Sequence, residues 1–172
     1  GYDSAGLAIF DEADQIQIFK RTGKVAELQN SIDQNPVNGN VGIAHTRWAT
    51  HGLPTENNAH PHHSNKNVFV IHNGIIENHQ EIRTTLKALG YVFESETDTE
   101  VIAHLIHAKM SQEEAPLIEA LQLAVKDLRG AYAIGAVCET EPGIIAAARK
   151  GSPLVVGIGH GENFIASDQL AL

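Results

Sequence analysis

Cys138 is the only cysteine among 172 residues. That excludes an internal disulfide and any zinc site built on several thiolates, and it fits a reducing compartment such as the cytoplasm. Positive charge is also scarce: 12 Lys and Arg stand against 21 Asp and Glu, a formal net charge of -9. The overall field therefore draws in neither nucleic acid nor anionic lipid. No apolar run approaches the roughly 20 residues that span a bilayer, and the chain does not open on a basic segment followed by an apolar one. A soluble protein with no nucleic-acid or membrane partner is expected. At 42% hydrophobic the chain is long enough for one domain with a real core. It starts at Gly1 without Met and stops at SDQLAL without a polar tail, so both ends are expected to be cuts in a longer polypeptide.

The pattern of apolar residues predicts an α+β chain. GLAIF and QIQIF flank the turn-like DEAD and read as a hairpin. KVAELQNSI spaces Val25, Leu28 and Ile32 as a helix, and PVNGN is a loop. VGIAHTRWAT runs from apolar to polar, a strand that delivers Arg47 and Trp48 to its exposed end, and NVFVIHNG repeats that design. A helix follows on Ile82, Leu86 and Leu89 and ends at Gly90. YVFES reads as a short strand. VIAHLIHAKM carries an apolar stripe of Val101, Ile102, Leu105 and Ile106, with Thr97, Asp98 or Thr99 as its cap. Pro116 opens a third helix over PLIEALQLAVKDL. Beyond Gly130, AYAIGAVC, GIIAAAR, PLVVGIG and NFIAS read as a mostly antiparallel sheet.

The stretch HTRWATHGLPTENNAHPHH, residues 45–63, holds five of the ten histidines and the only tryptophan. His60 and His62, joined by His51, could furnish three imidazoles for zinc. The stretch has no cysteine, however, offers Glu56 as its only carboxylate and contains no HExxH pattern, so no metal is expected. Cys138 ends an apolar run with no basic neighbour to activate it, which reads as a structural thiol. Ser4 and Ser152 lack the strained turn of a hydrolase nucleophile. In His72-Asn73-Gly74, an Asn amide beside a Gly N–H can converge on one oxygen as an oxyanion hole, or the pair can be a plain turn. The Arg47 guanidinium suits bidentate capture of a carboxylate and Asp98 could hold an ammonium group. Each has an ordinary alternative, a surface ion pair for Arg47 and a helix cap for Asp98, and their spacing does not show that they meet.

GYDSAG, HTRWATHG, NAHPH, HNGIIEN, SETDTEVIAHLI, RGAYA, GSPLVVGIG and ENFIASD occur in the order found in the glutaminase domains of class II glutamine amidotransferases. Among these the chain most resembles the members that pass ammonia to a sugar-isomerising domain and so turn fructose 6-phosphate into glucosamine 6-phosphate. The phosphoribosylpyrophosphate and asparagine-forming members carry looser versions and are the alternative, with a non-catalytic glutamine-binding module as a second one. The resemblance implies a fold, the N-terminal nucleophile hydrolase fold, a four-layer αββα sandwich of two antiparallel sheets, here without its first strand and helix. It also implies that residues 1-172 are a type 2 glutamine amidotransferase domain, with sugar isomerase domains following it and a homodimeric whole. L-glutamine would be the substrate, with no cofactor. Arg47 would bind its α-carboxylate and Asp98 its α-ammonium group, Asn73 and Gly74 would form the oxyanion hole, and Trp48, Thr50 and His51 would belong to a loop that closes over it. The family's nucleophile is an N-terminal cysteine on a strand that would precede Gly1. The residues given would thus hold the substrate clamp without hydrolysing glutamine, and would expose a sheet edge and an apolar groove.

Overall fold

The computed structural model describes residues 2–49 and 52–172. Strands β1 (Ser4–Phe10) and β2 (Ile16–Thr22) form the expected hairpin. Its turn is built by Asp11, whose Oδ1 accepts the N–H groups of Ala13 and Gln15 at 2.9 and 3.0 Å. Helix α1 (Val25–Gln34) follows, and β3 (Gly42–Arg47) returns to the other side of β1, giving a three-stranded antiparallel sheet in the order β2-β1-β3. The second sheet takes β4 (His62–Ser64), β5 (Val68–Ile76), β6 (Gly130–Cys138) and β7 (Ala146–Lys150) in the order β4-β5-β6-β7, all antiparallel. Helices α2 (His79–Ala88), α3 (Thr99–Glu113) and α4 (Leu117–Asp127) lie in the chain between β5 and β6.

Side chains alternate across β5 and β6, and the alternation makes two cores. Val68, Val70, Ile76, Ile134 and Ala136 pack against Val101, Ile102, Leu105 and Ile106 of α3 and Leu117 and Leu121 of α4. Phe69 and Val137 face the other way, onto Ala8, Phe10 and Ile43 of the first sheet. At about 1.5 to 3 kcal/mol for each buried aliphatic side chain, the helix-facing core is the larger stabilising layer. With α1 against β1 and β2, the order of layers is helix, sheet, sheet, helix, the αββα sandwich of an α+β chain.

Three expectations change. The run at Tyr91 to Ser95 is not a strand. It is extended enough to bury Phe93 partly and leave Val92 76% exposed, but its backbone finds no ladder: the N–H groups of Glu94 and Ser95 go to the Glu100 carboxylate, at 2.8 and 2.7 Å. Period-two burial arises here without strand pairing. The four C-terminal runs do not share one sheet, because β8 (Val155–Ile158) and β9 (Asn163–Ala166) pair only with each other, while β6 and β7 join β5. The Asn73-Gly74 pair is not a turn; β5 runs through it to Ile76, in register with β6. Gly74 has φ +121, and a Cβ there would collide with the Ala131 carbonyl oxygen across the ladder. Only glycine fits that combination. Gly90 does end α2 as expected: at φ +93 it lets the Tyr91 N–H reach Leu86 O and its own N–H reach Lys87 O. Among the described residues no helix is long and apolar enough to cross a membrane.

Candidate active site

A cavity of about 440 Å³ is lined by the end of β3, by β5 and β6 and by the start of α3. Arg47 and Trp48 at the end of β3, Asn73 and Gly74 in β5, and Asp98 at the start of α3 all line it. Arg47 and Asp98, whose meeting the sequence left open, therefore share one wall-to-wall space. Thr50 and His51 lie outside the described residues.

Arg47 is buried, 4% exposed, and must find acceptors. Its Nη1 donates to Leu53 O at 3.3 Å and its Nη2 to Gly52 O at 3.2 Å. Burial lowers its pKa, against the pull of Asp3, Asp98 and Glu96. The segment carrying those carbonyls is tied in turn to the other wall. Asn58 Nδ2 donates to Leu53 O and to Glu96 Oε2, and Glu96 N donates to Asn58 Oδ1. Asp3 fixes the point where β3 leaves the sheet: its N–H donates to Arg47 O at 2.9 Å and its Oδ2 accepts from Ala49 N at 2.8 Å. Trp48 is 69% exposed at the rim, edge-on to Tyr2.

Asp98 precedes α3, yet its side chain does not cap the helix. Its Oδ2 accepts from Ile76 N at 2.8 Å instead, joining the helix start to the end of β5. The capping falls to Thr97, whose Oγ1 accepts from Glu100 N at 3.4 Å. Glu100 holds the preceding segment through Ser95 Oγ and the two N–H groups already named, and meets His104 Nε2 at 3.3 Å. Burial raises its pKa, but the hydrogen bonds from His104, Ser95 and the Glu94 and Ser95 backbone outweigh that and bring it to about 2.

The histidines are hydrogen-bonding posts in this wall. His72 N donates to His60 Nδ1, so a neutral His60 carries its proton on Nε2 and donates to Thr99 Oγ1 at 3.3 Å. The same Thr99 oxygen lies 3.0 Å from His72 Nδ1, within hydrogen-bond distance. His62 Nε2 pairs with Thr97 Oγ1 at 3.0 Å. Burial holds His60 and His62 well below the usual histidine range and His72 at about 4, where Asp98 pulls it up and His45 pushes it down. Among the described residues no group of three or more His, Cys, Asp or Glu is placed to hold a metal. Cys138 is fully buried, with Sγ 3.1 Å from Asn67 Oδ1, as befits a structural thiol.

His45, Asp3, Asn58 and Glu96 join the site without having been singled out in the sequence. For His45 a signal existed: it stands two residues before Arg47 on the same face of β3. For the other three no local pattern marks the long-range bonds, which join Asp3 to Ala49 and Asn58 to Glu96 across 46 and 38 positions.

The family profile described as a glutamine amidotransferase domain matches residues 45–172. Over its whole length the chain is 59% identical to the glutamine–fructose-6-phosphate aminotransferase (isomerizing) of Pseudomonas aeruginosa and 56% identical to that of Idiomarina loihiensis. It spans 28% of the length of each. Among solved structures, the B. subtilis glutamine phosphoribosylpyrophosphate amidotransferase, complexed with ADP and GMP, superposes with a TM-score of 0.82 at 27% identity, over 99% of this chain and 37% of that one. The αββα sandwich is thus the N-terminal nucleophile fold of such amidotransferases. By sequence and by fold, the chain belongs to the glutamine amidotransferase domain family.

Proposed function

We propose that this chain is the glutamine-binding glutaminase part of a glutamine–fructose-6-phosphate aminotransferase. The observation that carries the reading is the convergence of Arg47, Asp98 and the Asn73-Gly74 pair on one cavity. A guanidinium and a carboxylate on the same space suit the α-carboxylate and α-ammonium groups of an amino acid. The side-chain amide of glutamine would lie at Asn73 and Gly74, with the Asn73 amide and the Gly74 N–H receiving the developing oxyanion. Trp48, Thr50 and His51 cover the bound substrate in this reading.

A thiolate attacks the amide carbon, the tetrahedral intermediate collapses as the nitrogen takes a proton and leaves as ammonia, and water then releases glutamate from the thioester. Cys138 does not supply that thiol, because it is sealed in the core that faces α3 and α4. The reading places the nucleophile and its α-amino base on an N-terminal cysteine outside these 172 residues. The ammonia goes to a sugar isomerase domain of the same polypeptide, which makes glucosamine 6-phosphate from fructose 6-phosphate, and the 59% identity to the Pseudomonas enzyme favours this over the phosphoribosylpyrophosphate branch at 27%.

The test is glutamate release by the native polypeptide and by its Arg47→Ala variant. Loss of a charge-assisted, bidentate carboxylate contact should weaken glutamine at least about 30-fold. Unchanged glutamine affinity would show that Arg47 is not the carboxylate clamp.

A further inference from the structure

We propose that His45 is a positioning residue for the oxyanion hole: its Nε2–H donates to Asn73 Oδ1 and so turns the Asn73 NH2 group into the cavity. The inference rests on reading Asn73 as an oxyanion donor. His45 Nε2 and Asn73 Oδ1 are 2.8 Å apart, on strands 28 residues removed in sequence. An Asn amide rotates about its last bond with little preference between its two ends. Unaided, it would present oxygen or nitrogen to a nascent oxyanion almost equally, and the oxygen would repel it. A donor fixed on the Oδ1 side removes that ambiguity, provided the imidazole carries its proton on Nε2.

The fold places the two side chains face to face by strand alternation. On β3, Ile43 lies in the core between the sheets, His45 comes next on that side, and Arg47 reaches the cavity. On β5 the residues that face the first sheet are Phe69, Ile71 and Asn73. His45 is then locked by its own neighbours. Its ring stacks on His60, with centroids 4.1 Å apart and planes 16° from parallel. His60 comes that close because Gly6, the β1 partner of His45, has no side chain: a Cβ there would strike the His60 carbonyl oxygen. His60 is itself held by His72 N and Thr99 Oγ1. Burial lowers the His45 pKa, against hydrogen bonds to the Asn73 side chain and the His72 backbone that raise it.

The test uses the native polypeptide. His45→Phe keeps a flat ring against His60 and deletes the donor. It should lower kcat for glutamine hydrolysis about 10- to 100-fold, the scale of misplacing a reacting contact by about an ångström, with KM moved less than about threefold, because Arg47 and Asp98 still hold the substrate. His45→Gln, which restores a side-chain N–H, should recover part of that loss. Asn73→Ala should cost about 10²- to 10³-fold, and adding His45→Phe to it should cost nothing more. Full activity of His45→Phe, or losses that multiply in the double variant, would overturn the proposal while leaving the oxyanion reading intact. Full activity of Asn73→Ala would overturn both. Should His45→Phe fail to fold, ¹⁵N NMR of the native imidazole decides: a proton on Nε2 supports the proposal, and a proton on Nδ1 alone overturns it.

Discussion

Replacing Glu100 by Gln removes one charge from the segment that delivers Asp98 to the cavity, and its cost can be worked out from the structure. The side chain is 5% exposed and its oxygens accept from Ser95 Oγ, Ser95 N, Glu94 N and His104 Nε2. These bonds bring its pKa from an ordinary 4.5 to about 2. At about 1.4 kcal/mol per pH unit that is about 3 kcal/mol of stability, and screening at the surface cleft that Glu100 lines with His62 and His104 trims it to about 2. The Gln amide adds a cost of about 1 kcal/mol or more, since its NH2 end must face one of the donors. The total is about 3 kcal/mol, which in a protein region of this size lowers Tm by roughly 6 to 12 °C. Thermal unfolding of wild type and Glu100→Gln, followed by near-UV circular dichroism across pH, checks it. Because the folded-state pKa is depressed, the charge stabilises fully above about pH 4.5 and its contribution is lost as pH falls toward 2. The gap between the two proteins should therefore be widest at neutral pH and narrow below pH 4.5. A gap under about 2 °C at pH 7.5, or one that stays constant down to pH 3, would refute the reasoning.

Two further substitutions probe the cavity directly. Gly74→Ala must accommodate a Cβ against Ala131 O at φ +121, so it should destabilise by at least about 2 kcal/mol and abolish most glutamine turnover; a Tm within 1 °C of wild type with normal turnover would contradict the geometry. Asp98→Asn retains an acceptor for the Ile76 N–H and should leave the fold intact. It should raise KM for glutamine about 10- to 100-fold yet cost nothing on glutaramic acid, which lacks the α-amino group. Equal losses on both substrates would remove Asp98 from the role of ammonium partner.

The sequence made the helices and most strands legible because their apolar spacing is local. Leu86 and Ile102 announce buried helical faces, and both are buried. Leu89, read onto the same face, is instead 54% exposed beyond the end of α2. The run at Tyr91 misled because alternating burial is a property of an extended chain, while a strand also needs a neighbour, and here a carboxylate from the first turn of α3 takes the neighbour's place. The turn, one of the two readings open for the Asn-Gly pair, fails for a related reason: φ +121 at Gly74 is a demand made by β6 across the ladder, invisible from the residues beside it. In the candidate site, the residues with unusual chemistry were legible, namely Arg47, Asp98 and Asn73. The residues that contact them were less so: Asp3 reaches Ala49 and Asn58 reaches Glu96 across 46 and 38 positions, and His45 alone carries a local sign, its place two residues before Arg47 on β3.

Strand β3 carries Ile43, His45 and Arg47 along one side, about 6.7 Å from each to the next. It works as a graduated ruler whose zero mark is driven into the packing between the sheets and whose second and third marks bring His45 to the Asn73 amide and Arg47 to the cavity wall. A ruler has no joint. A shift of Ile43 by a fraction of an ångström would move the graduations beyond it by the same fraction, so the volume of the side chains between the sheets also sets where His45 and Arg47 stand at the cavity.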